Sequence, residues 1–304
     1  MTLLYTHPAC IAHDMGPMHP ERPERLEALE VALAGIEFAS LDRRGAPLAT
    51  IDQIARVHPR AHVELILETV PESGLVRLDA DTAMCPASGE AALRAVGAVC
   101  AAVDAVLAGE AANAFCAGRP PGHHAEPETP MGFCLFNNVA VAAAHARTVH
   151  GLNRVAVMDF DVHHGNGTQA MFWYEPQLMF CSTHQMPLYP GTGAREENGA
   201  HGNIVNAPLP SGAGGEHFRA AMNQLILPAL YEFAPELLII SAGFDAHMND
   251  PLAGLNFVED DYAWVTRELM ALTDGRLVSS LEGGYDLDAL VGSASAHVRE
   301  LMGA

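Results

Sequence analysis

The segment Asp159–Gly167 holds the densest set of chemically active side chains, with two acids and two histidines in its first six residues. In extended backbone Asp159, Asp161 and His163 face one side, because side chains alternate with a period of two. Asp161 and His163 can then share a cation, and a catalytic zinc takes three protein ligands plus water. Asp245 follows another apolar run and is the third candidate ligand. Such residues also close ordinary loops, but several unpaired acids at a sheet edge favour a metal.

A histidine pair, His123-His124, lies in the segment Arg119–Glu126, which two prolines and a glycine make rigid. A histidine near neutral pH can take a proton from a water and later deliver it to a leaving amine. A carboxylate behind one imidazole, such as that of Asp159, would orient the ring and raise its basicity. The alternative is a surface pair without a role, but its position directly after an apolar run favours catalysis.

The sequence Glu282-Gly283-Gly284-Tyr285 also follows an apolar run. Two glycines let the backbone approach a site closely and turn sharply. A phenol donor placed there can stabilise the oxyanion that forms when water attacks an amide carbonyl. Taken alone, the motif is a weak signal and is more typical of a simple turn.

Short apolar runs alternate with amphipathic stretches along the chain, which predicts a parallel sheet with helices on both faces. One helix is predicted over Glu90–Leu107 with Ser88 as its N-cap, and another from Asp260 to just before Gly275. No repeat or linker divides the sequence, so we expect one α/β domain over residues 1–304. The predicted strands are Leu3–Tyr5, Ala114–Ala117, Arg154–Asp159, Leu178–Ser182, Leu237–Ala242 and Leu277–Leu281.

The polar clusters each follow a predicted strand, and their positions predict where they meet. In open α/β sheets, ligands bind beyond the carboxyl ends of the strands. We therefore expect all of them to converge on one rim of the sheet. The clusters are Arg119–Glu126, Asp159–Gly167, Ala242–Pro251 and Glu282–Asp286.

Composition excludes some classes of protein. The formal charge is −21, from 37 acids against 16 lysines and arginines, which argues against a chain held on nucleic acid by a basic surface. Six scattered cysteines without a CxxC pair indicate free thiols in a reducing compartment. No basic leader and no stretch of about 18 apolar residues is visible, so we expect a cytoplasmic protein without a membrane partner.

Taken together, these motifs resemble the histone deacetylase family, and most of all its class II branch with the bacterial deacetylase-like amidohydrolases and acetylpolyamine amidohydrolases. The resemblance runs in the family's order from the first twenty residues almost to the C-terminus. It implies the arginase-deacetylase fold, a mostly parallel sheet between helices. The matching segments are His19–Leu26, Arg119–His124, Gly132–Cys134, Asp161–Gln169, Ser241–Asp245 and Glu282–Tyr285.

The resemblance also implies roles for the metal and proton-transfer residues. One zinc ion would be held by Asp161, His163 and Asp245. His124 would act as general base and acid, with His123 as an electrostatic partner paired to Asp159.

The family's substrate tunnel implies a second set of roles. Tyr285 would polarise the substrate carbonyl. Phe133 and Tyr189 match the aromatic residues on the two sides of the tunnel, and the Gly132 carbonyl would meet the substrate amide. Arg25 resembles the residue that gates an internal acetate channel.

A structural monovalent cation, K⁺ or Na⁺, is a further family feature. The positions that hold it in relatives match Asp159, Asp161, His163 and Ser182.

The sequence departs from the family in two places. Asn166 stands where some relatives have an acid behind the second histidine, so the tuning of His124 is in question. Leu252, on the substrate side, stands where polyamine-specific eukaryotic relatives have a glutamate, which favours acyl-lysine. Asp79 and Asp81 precede the site on a loop and are either substrate contacts or solvated acids.

The predicted function is therefore zinc-dependent hydrolysis of the amide of an N-acetylated amine, small or peptide-borne and most readily of the acetyl-lysine type. An acetylpolyamine amidohydrolase is the nearest alternative. A binuclear manganese ureohydrolase and a non-catalytic acyl-group binding module are more remote. The sequence leaves a homo-oligomer open.

Overall fold

The computed structural model describes residues 1–303, in which helices alternate with strands. The strands are β1 (Thr2–Thr6), β2 (Asp42–Gly45), β3 (Val76–Arg77), β4 (Ala83–Met84), β5 (Asn113–Cys116), β6 (Val155–Asp159), β7 (Leu178–Gln185), β8 (Ile204–Leu209), β9 (Leu237–Ala242) and β10 (Leu277–Leu281). The helices are α1 (Pro8–Ala12), α2 (Glu24–Leu33), α3 (Ile51–Ile54), α4 (Arg60–Glu68), α5 (Ser88–Leu107), α6 (Asn138–His150), α7 (Asn166–Phe172), α8 (Gly215–Ala221), α9 (Leu227–Phe233), α10 (Glu259–Leu272) and α11 (Leu287–Met302). A 3₁₀ turn (Ile36–Phe38) and a π-helical segment (Met222–Ile226) complete them.

One parallel sheet organises the described chain. Its order is β2-β1-β5-β10-β9-β6-β7-β8, and every neighbouring pair is parallel. The short strands β3 and β4 form a separate antiparallel pair. Parallel neighbours cannot be joined by tight turns, so helices serve as crossovers, except between β7 and β8, where a long loop does. The expected α/β fold with a mostly parallel sheet is confirmed.

Helices cover both faces of the sheet. Along β6, Val155 and Val157 belong to one apolar core, which α5 and α6 complete. Ala156 and Met158 point the other way, into a core shared with α2, α10 and α11. This alternation is the reason that the central strands are apolar throughout, since neither face meets water.

The sequence missed the strands at the two edges of the sheet. All six predicted strands are present, and β7 extends further than expected, to Gln185. β2 (Asp-Arg-Arg-Gly) and β8 (which contains Pro208) each pair on one side only. Edge strands tolerate charge and proline, so they lack the continuous apolar run by which the central strands are found.

The two predicted helices are present, with one error at a helix end. α10 agrees with the expected bounds, but α5 begins at Ser88 and its N-cap is Ala87. The Ser88 hydroxyl instead accepts a hydrogen bond from the Cys85 N–H at 2.8 Å and lies 2.7 Å from Nδ1 of His13. Among residues 1–303, no helix has both the length and the apolar character that a bilayer crossing requires.

The sheet order brings the predicted polar clusters together. They follow β5, β6, β9 and β10, which are consecutive in the sheet as β5-β10-β9-β6. Because these strands are parallel, their carboxyl ends share one edge. The register places Asp159 beside Ser182 on one side and Ser241 on the other. The loops that carry the candidate site therefore leave the sheet side by side.

Gly97 should be essential to the packing of α5 against the segment after β2. A Cβ on Gly97 would overlap the carbonyl oxygen of Pro47, whereas one on Gly45 meets nothing within 4 Å. Alanine favours a helix by about 1 kcal/mol over glycine, but overpacking costs about 1–3 kcal/mol. We expect Gly97→Ala to lower the free energy of unfolding in urea and Gly45→Ala to change it little. A Gly97→Ala protein as stable as the parent would contradict this packing.

Candidate active site

Three side chains from two strand ends form a compact buried cluster. Asp161 and His163 follow β6, Asp245 follows β9, and one ligand atom from each lies within 4.8 Å of the other two. Nδ1 of His163 is 3.1 Å from Oδ1 of Asp161 and 3.0 Å from Oδ2 of Asp245. The structure thus brings together the three residues that the sequence predicts as metal ligands.

Backbone groups hold the two carboxylates of this cluster. The Gly283 N–H donates to Oδ2 of Asp161 at 2.8 Å, and the Val162 N–H donates to Oδ1 of Asp245 at 2.9 Å. A Cβ on Gly283 would overlap both carboxylates. Glycine is therefore required at this position because the chain passes directly against the cluster.

The donor set fits a zinc ion. Zinc bonds of about 2.0 Å in a tetrahedral arrangement place the ligand atoms roughly 3.3 Å apart, close to the spacings of His163 with Asp161 and Asp245. Two buried carboxylates around one imidazole concentrate negative charge, which is costly without a cation. Burial lowers the pKa of His163, but Asp161 and Asp245 raise it to about 10, so the cluster attracts positive charge strongly.

The two histidines of the predicted pair have different partners. Nδ1 of His123 lies 2.9 Å from Oδ2 of Asp159, as the sequence predicts. Nδ1 of His124 lies 2.8 Å from Oδ1 of Asn166, an amide rather than an acid. The two rings are adjacent, with centroids 4.0 Å apart.

The pKa values of the two histidines are displaced in opposite directions. Burial lowers the pKa of His123, but the carboxylates of Asp159 and Asp161 raise it to about 10. Burial holds the pKa of His124 well below its usual value, and the charges of His123 and His163 lower it further. His124 is consequently neutral near pH 7 and able to accept a proton.

Tyr285 lies beside the cluster with its phenol protonated. Burial, followed by the negative charge of Asp245, raises the pKa of Tyr285 well above its usual value. The guanidinium carbon of Arg25 is 4.9 Å from the centre of the Tyr285 ring. A buried neutral phenol can donate a hydrogen bond but does not act as a base.

A cavity of about 240 Å³ leads to these residues. All four residues predicted to bind substrate line it. Two further lining residues are Leu188, for which the sequence predicted no role, and Asp81, which it left as either a substrate contact or a solvated acid. The ring centroid of Phe133 is 5.8 Å from that of Tyr285, and the Tyr189 centroid is 5.1 Å from that of His124. The lining consists of Asp81, His124, Gly132, Phe133, His163, Leu188, Tyr189, Leu252 and Tyr285.

The residues predicted to hold a monovalent cation are also neighbours. Asp159 and Ser182 are paired in register on β6 and β7, and Oδ1 of Asp159 accepts from the Asp161 N–H at 3.0 Å. The Ser182 hydroxyl lies 2.9 Å from Nδ1 of His184, whose Nε2 is 2.9 Å from the Gly193 carbonyl. Nε2 must donate to that carbonyl, so Nδ1 accepts the Ser182 proton and leaves the hydroxyl lone pairs free.

Two further acids support the site, and sequence reasoning gave neither a role. Oδ2 of Asp250 accepts from the Tyr285 N–H at 2.7 Å, and its Oδ1 accepts from the Leu252 N–H at 3.0 Å. Glu282 accepts from the N–H groups of Gly122 at 2.6 Å and His123 at 3.2 Å. Both acids lie in the polar clusters noted above, but their contacts with Tyr285, Gly122 and His123 are to backbone groups of other loops, which leave no trace in sequence spacing.

Arg25 is fully buried and braces the turn that carries Tyr285. Its guanidinium donates to the carbonyl oxygens of Gly284 at 2.5 Å and Glu282 at 2.6 Å, and to Glu21 at 3.0 Å. Glu21 also accepts from Nε and Nη2 of Arg119, which is equally buried. Arg25 therefore fixes the position of the backbone that leads into Tyr285.

A second group of possible metal-binding side chains lies between α5 and α6. Nε2 of both His145 and His150 is 2.7 Å from Oδ1 of Asp104. Arg56 donates to Nδ1 of His145 at 2.6 Å, so Nε2 of His145 carries the ring proton and donates to Asp104. This network is satisfied without an ion, and the arginine would have to leave before His145 could ligate one.

Comparison with known proteins agrees with the geometry. Residues 19–301 match the model of the histone deacetylase domain. The chain is 38% identical to histone deacetylase 14, chloroplastic, of Arabidopsis thaliana, over 99% of this chain and 77% of that one. It is 40% identical to the histone deacetylase-like amidohydrolase of Pseudomonas aeruginosa, over 87% and 72%.

A solved structure supports the same assignment. The crystal structure of the HDA15 HD domain superposes with a TM-score of 0.95 at 34% identity, covering 99% of this chain and 88% of that one. The chain belongs to the histone deacetylase family. Histone deacetylase family membership makes it a hydrolase of the deacetylase and amidohydrolase type.

The buried ion-pair network below Tyr285 should contribute strongly to stability. Burial raises the pKa of Glu21, but Arg119, His13 and Arg25 lower it to about 2. Glu21→Gln would leave two buried guanidiniums uncompensated, and we expect a loss of about 3–5 kcal/mol in the free energy of unfolding. Since the folded-state pKa is depressed, this difference should shrink as the pH falls from about 4.5 toward about 2.

A matched exposed pair provides the control for Glu21. Glu37 also binds an arginine, Arg299, but both side chains are about half exposed. Solvent screens exposed pairs so that they contribute little, and Glu37→Gln should cost far less than Glu21→Gln in the same urea titration. Equal losses for the two variants would show that the buried network adds nothing beyond a surface pair.

Proposed function

We propose that the protein is a zinc-dependent deacylase that hydrolyses the amide of an N-acetylated amine, with acetyl-lysine as the favoured type of substrate. One observation carries the proposal. A single cavity is lined by His163 of the acid–histidine cluster, by the neutral His124 and by the protonated Tyr285. A ligand site, a proton acceptor and an oxyanion donor therefore face the same space.

The residues proposed to hold the zinc are Asp161, His163 and Asp245. When bound, the ion supplies the Lewis acidity that lowers the pKa of a water and draws charge from an acyl carbonyl. Because two of the three proposed ligands are carboxylates, their negative charges would offset the positive charge of the zinc ion. Gly283 maintains the close fit, since its N–H orients the Asp161 carboxylate.

His124 is proposed as the group that moves the proton. Its low pKa leaves the ring neutral, so Nε2 can take a proton from the attacking water and return it to the departing amine. His123 is held by Asp159 and carries a raised pKa. It is proposed to remain a fixed positive neighbour, which stabilises the negative charge that develops on the substrate.

Tyr285 is proposed to donate its phenol proton in a hydrogen bond to the substrate carbonyl oxygen. That donor is worth most where charge develops in a water-excluded site. Arg25 and Asp250 hold the two ends of the peptide unit that precedes Tyr285, the Gly284 carbonyl and the Tyr285 N–H. The donor is consequently in place before the substrate arrives, and no reorganisation is needed during the reaction.

The shape of the cavity supports a linear substrate. Phe133 and Tyr189 line it with aromatic rings, Leu252 adds an apolar wall, and the carbonyl of Gly132 is proposed to accept from the substrate amide. An apolar residue at position 252 offers no partner to the internal amine of a polyamine, which favours acyl-lysine. Asp81 also lines the cavity, and its carboxylate supports an acetylpolyamine as the second candidate.

The other proposals follow from the same family assignment. K⁺ or Na⁺ is proposed at Asp159, Asp161, His163 and Ser182, since the free lone pairs of the Ser182 hydroxyl suit a cation. A reducing compartment, the cytoplasm, is proposed because all six cysteines are buried free thiols.

A binuclear ureohydrolase site is disfavoured, because among the described residues the cluster offers three ligands and Gly165-Asn166-Gly167 adds no bridging acid.

Turnover of defined substrates, with metal content measured on the same sample, tests this proposal. We expect one zinc per chain, loss of activity on chelation, and recovery when zinc is returned. Acetyl-lysine peptides should turn over faster than N-acetylated putrescine, cadaverine or spermidine. Faster hydrolysis of the polyamines would select the second candidate, and full activity in a metal-free sample would end the zinc mechanism.

Removing the Tyr285 hydroxyl should separate metal binding from turnover. We expect Tyr285→Phe to retain zinc but to lower kcat by about 100-fold or more, as removal of other oxyanion donors does. Tyr231→Phe, at an exposed position, is the control and should match the parent. Parent-like kcat in Tyr285→Phe would remove Tyr285 from the mechanism.

A further inference from the structure

A chain of hydrogen bonds extends behind His124 to an acid outside the cavity. Nδ1 of His124 lies 2.8 Å from Oδ1 of Asn166. On the other side of the same amide, Nδ2 of Asn166 donates to Oε1 of Glu126 at 2.8 Å. The acid that some relatives place directly behind the histidine is here one hydrogen bond further away.

Glu126 determines which way the Asn166 amide can face. A carboxylate only accepts hydrogen bonds, so the Asn166 group directed at Glu126 must be the NH₂. The sulfur of Met131, a weak acceptor, lies 3.4 Å from the same Nδ2. Both neighbours favour one orientation of the amide, and in that orientation Oδ1 faces His124.

The orientation of the amide in turn determines where His124 carries its proton. Opposite Oδ1, Nδ1 of the ring must carry the hydrogen, so Nε2 keeps a free lone pair for the cavity. Were the amide reversed, its NH₂ would donate to Nδ1, and the proton would move to Nε2. In that tautomer Nε2 could not accept a proton from water.

We propose that Glu126 is a positioning residue which fixes the Asn166 amide and thereby the tautomer of His124. The proposal rests on the proposed function in one respect, that His124 is the proton acceptor. A direct aspartate would need no such device, because both of its oxygens accept. An asparagine has one donor end and one acceptor end, so a third residue must choose between them.

The backbone around these residues keeps the chain of hydrogen bonds in place. Asn166 is the first residue of α7, and the N–H of Thr168, two residues further on, donates to the His123 carbonyl at 3.2 Å. A Cβ on Gly167 would overlap the carbonyl of Ala125. The start of α7 is thus packed directly on the histidine loop, and Glu126 extends from that same loop.

Kinetics of Glu126→Ala provide the first test. Loss of a group that orients a functional side chain typically costs about 10–100-fold, and we expect that loss in kcat with KM close to the parent value. Glu128→Ala, two residues further along and exposed, is the matched control and should keep the parent kcat. Parent-like kcat in Glu126→Ala would overturn the proposal.

A second background distinguishes this role from a merely structural one. Asn166→Asp replaces the amide with a carboxylate, both of whose oxygens accept hydrogen bonds, so the His124 tautomer is fixed without Glu126. The same change places two carboxylates, at positions 126 and 166, next to each other. Glu126→Ala should therefore cost little, or restore activity, in the Asn166→Asp background. The same fold-loss in both backgrounds would mean that Glu126 supports the loop and not the amide.

The ¹⁵N resonances of the His124 ring test the inference without any turnover. We expect Nδ1-protonated His124 in the parent and a substantial Nε2-protonated fraction in Glu126→Ala, with signals assigned by comparison with His124→Gln. An unchanged tautomer would refute the role of Glu126. A parent that shows the expected tautomer but hydrolyses no acylated amine would refute the proposed function alone.

Discussion

The close approach of two buried carboxylates, Asp161 and Asp245, is the constraint around which the site is built. Burial raises the pKa of Asp245, and the charge of Asp161 adds to that effect. Such a pair is stable only if positive charge and hydrogen-bond donors surround it. His163 and the N–H groups of Gly283 and Val162 supply part of this compensation, and the three side chains are close enough together to hold a metal ion.

The fold meets this constraint through the order of its strands. β6 and β9 are neighbours in the sheet, so the acids that follow them meet without long loops. β10 lies next to β9 and delivers Gly283 against both carboxylates. Arg25, from a helix near the start of the chain, then ties this turn down through two backbone carbonyls. Binding and proton-transfer groups thus depend on rigid strand ends rather than on long, mobile loops.

Sequence reasoning identified the parts of the protein where the structure or the chemistry permits few residue types. Continuous apolar runs identified the central strands, and the Asp161–His163 spacing identified the cluster, because few other structures require such patterns. The edge strands β2 and β8 escaped detection because solvent on one side relaxes their composition. The roles of Asp250 and Glu282 were not predicted, because each acid binds backbone N–H groups of a distant loop. Nearly every residue type supplies such an N–H group, so the residue types in the distant loop do not indicate the contact.

The contrast between His123 and His124 shows why neighbouring imidazoles need different partners. A carboxylate behind His123 raises its pKa and keeps it charged, which suits an electrostatic role but not proton transfer near pH 7. Burial and the charges of His123 and His163 keep His124 neutral, and its amide partner adds no negative charge to offset them. An amide partner by itself does not determine the tautomer of the ring, because it can present either its donor or its acceptor. A neutral base therefore requires a further acid, outside the cavity, to select the orientation, and Glu126 is placed to do so.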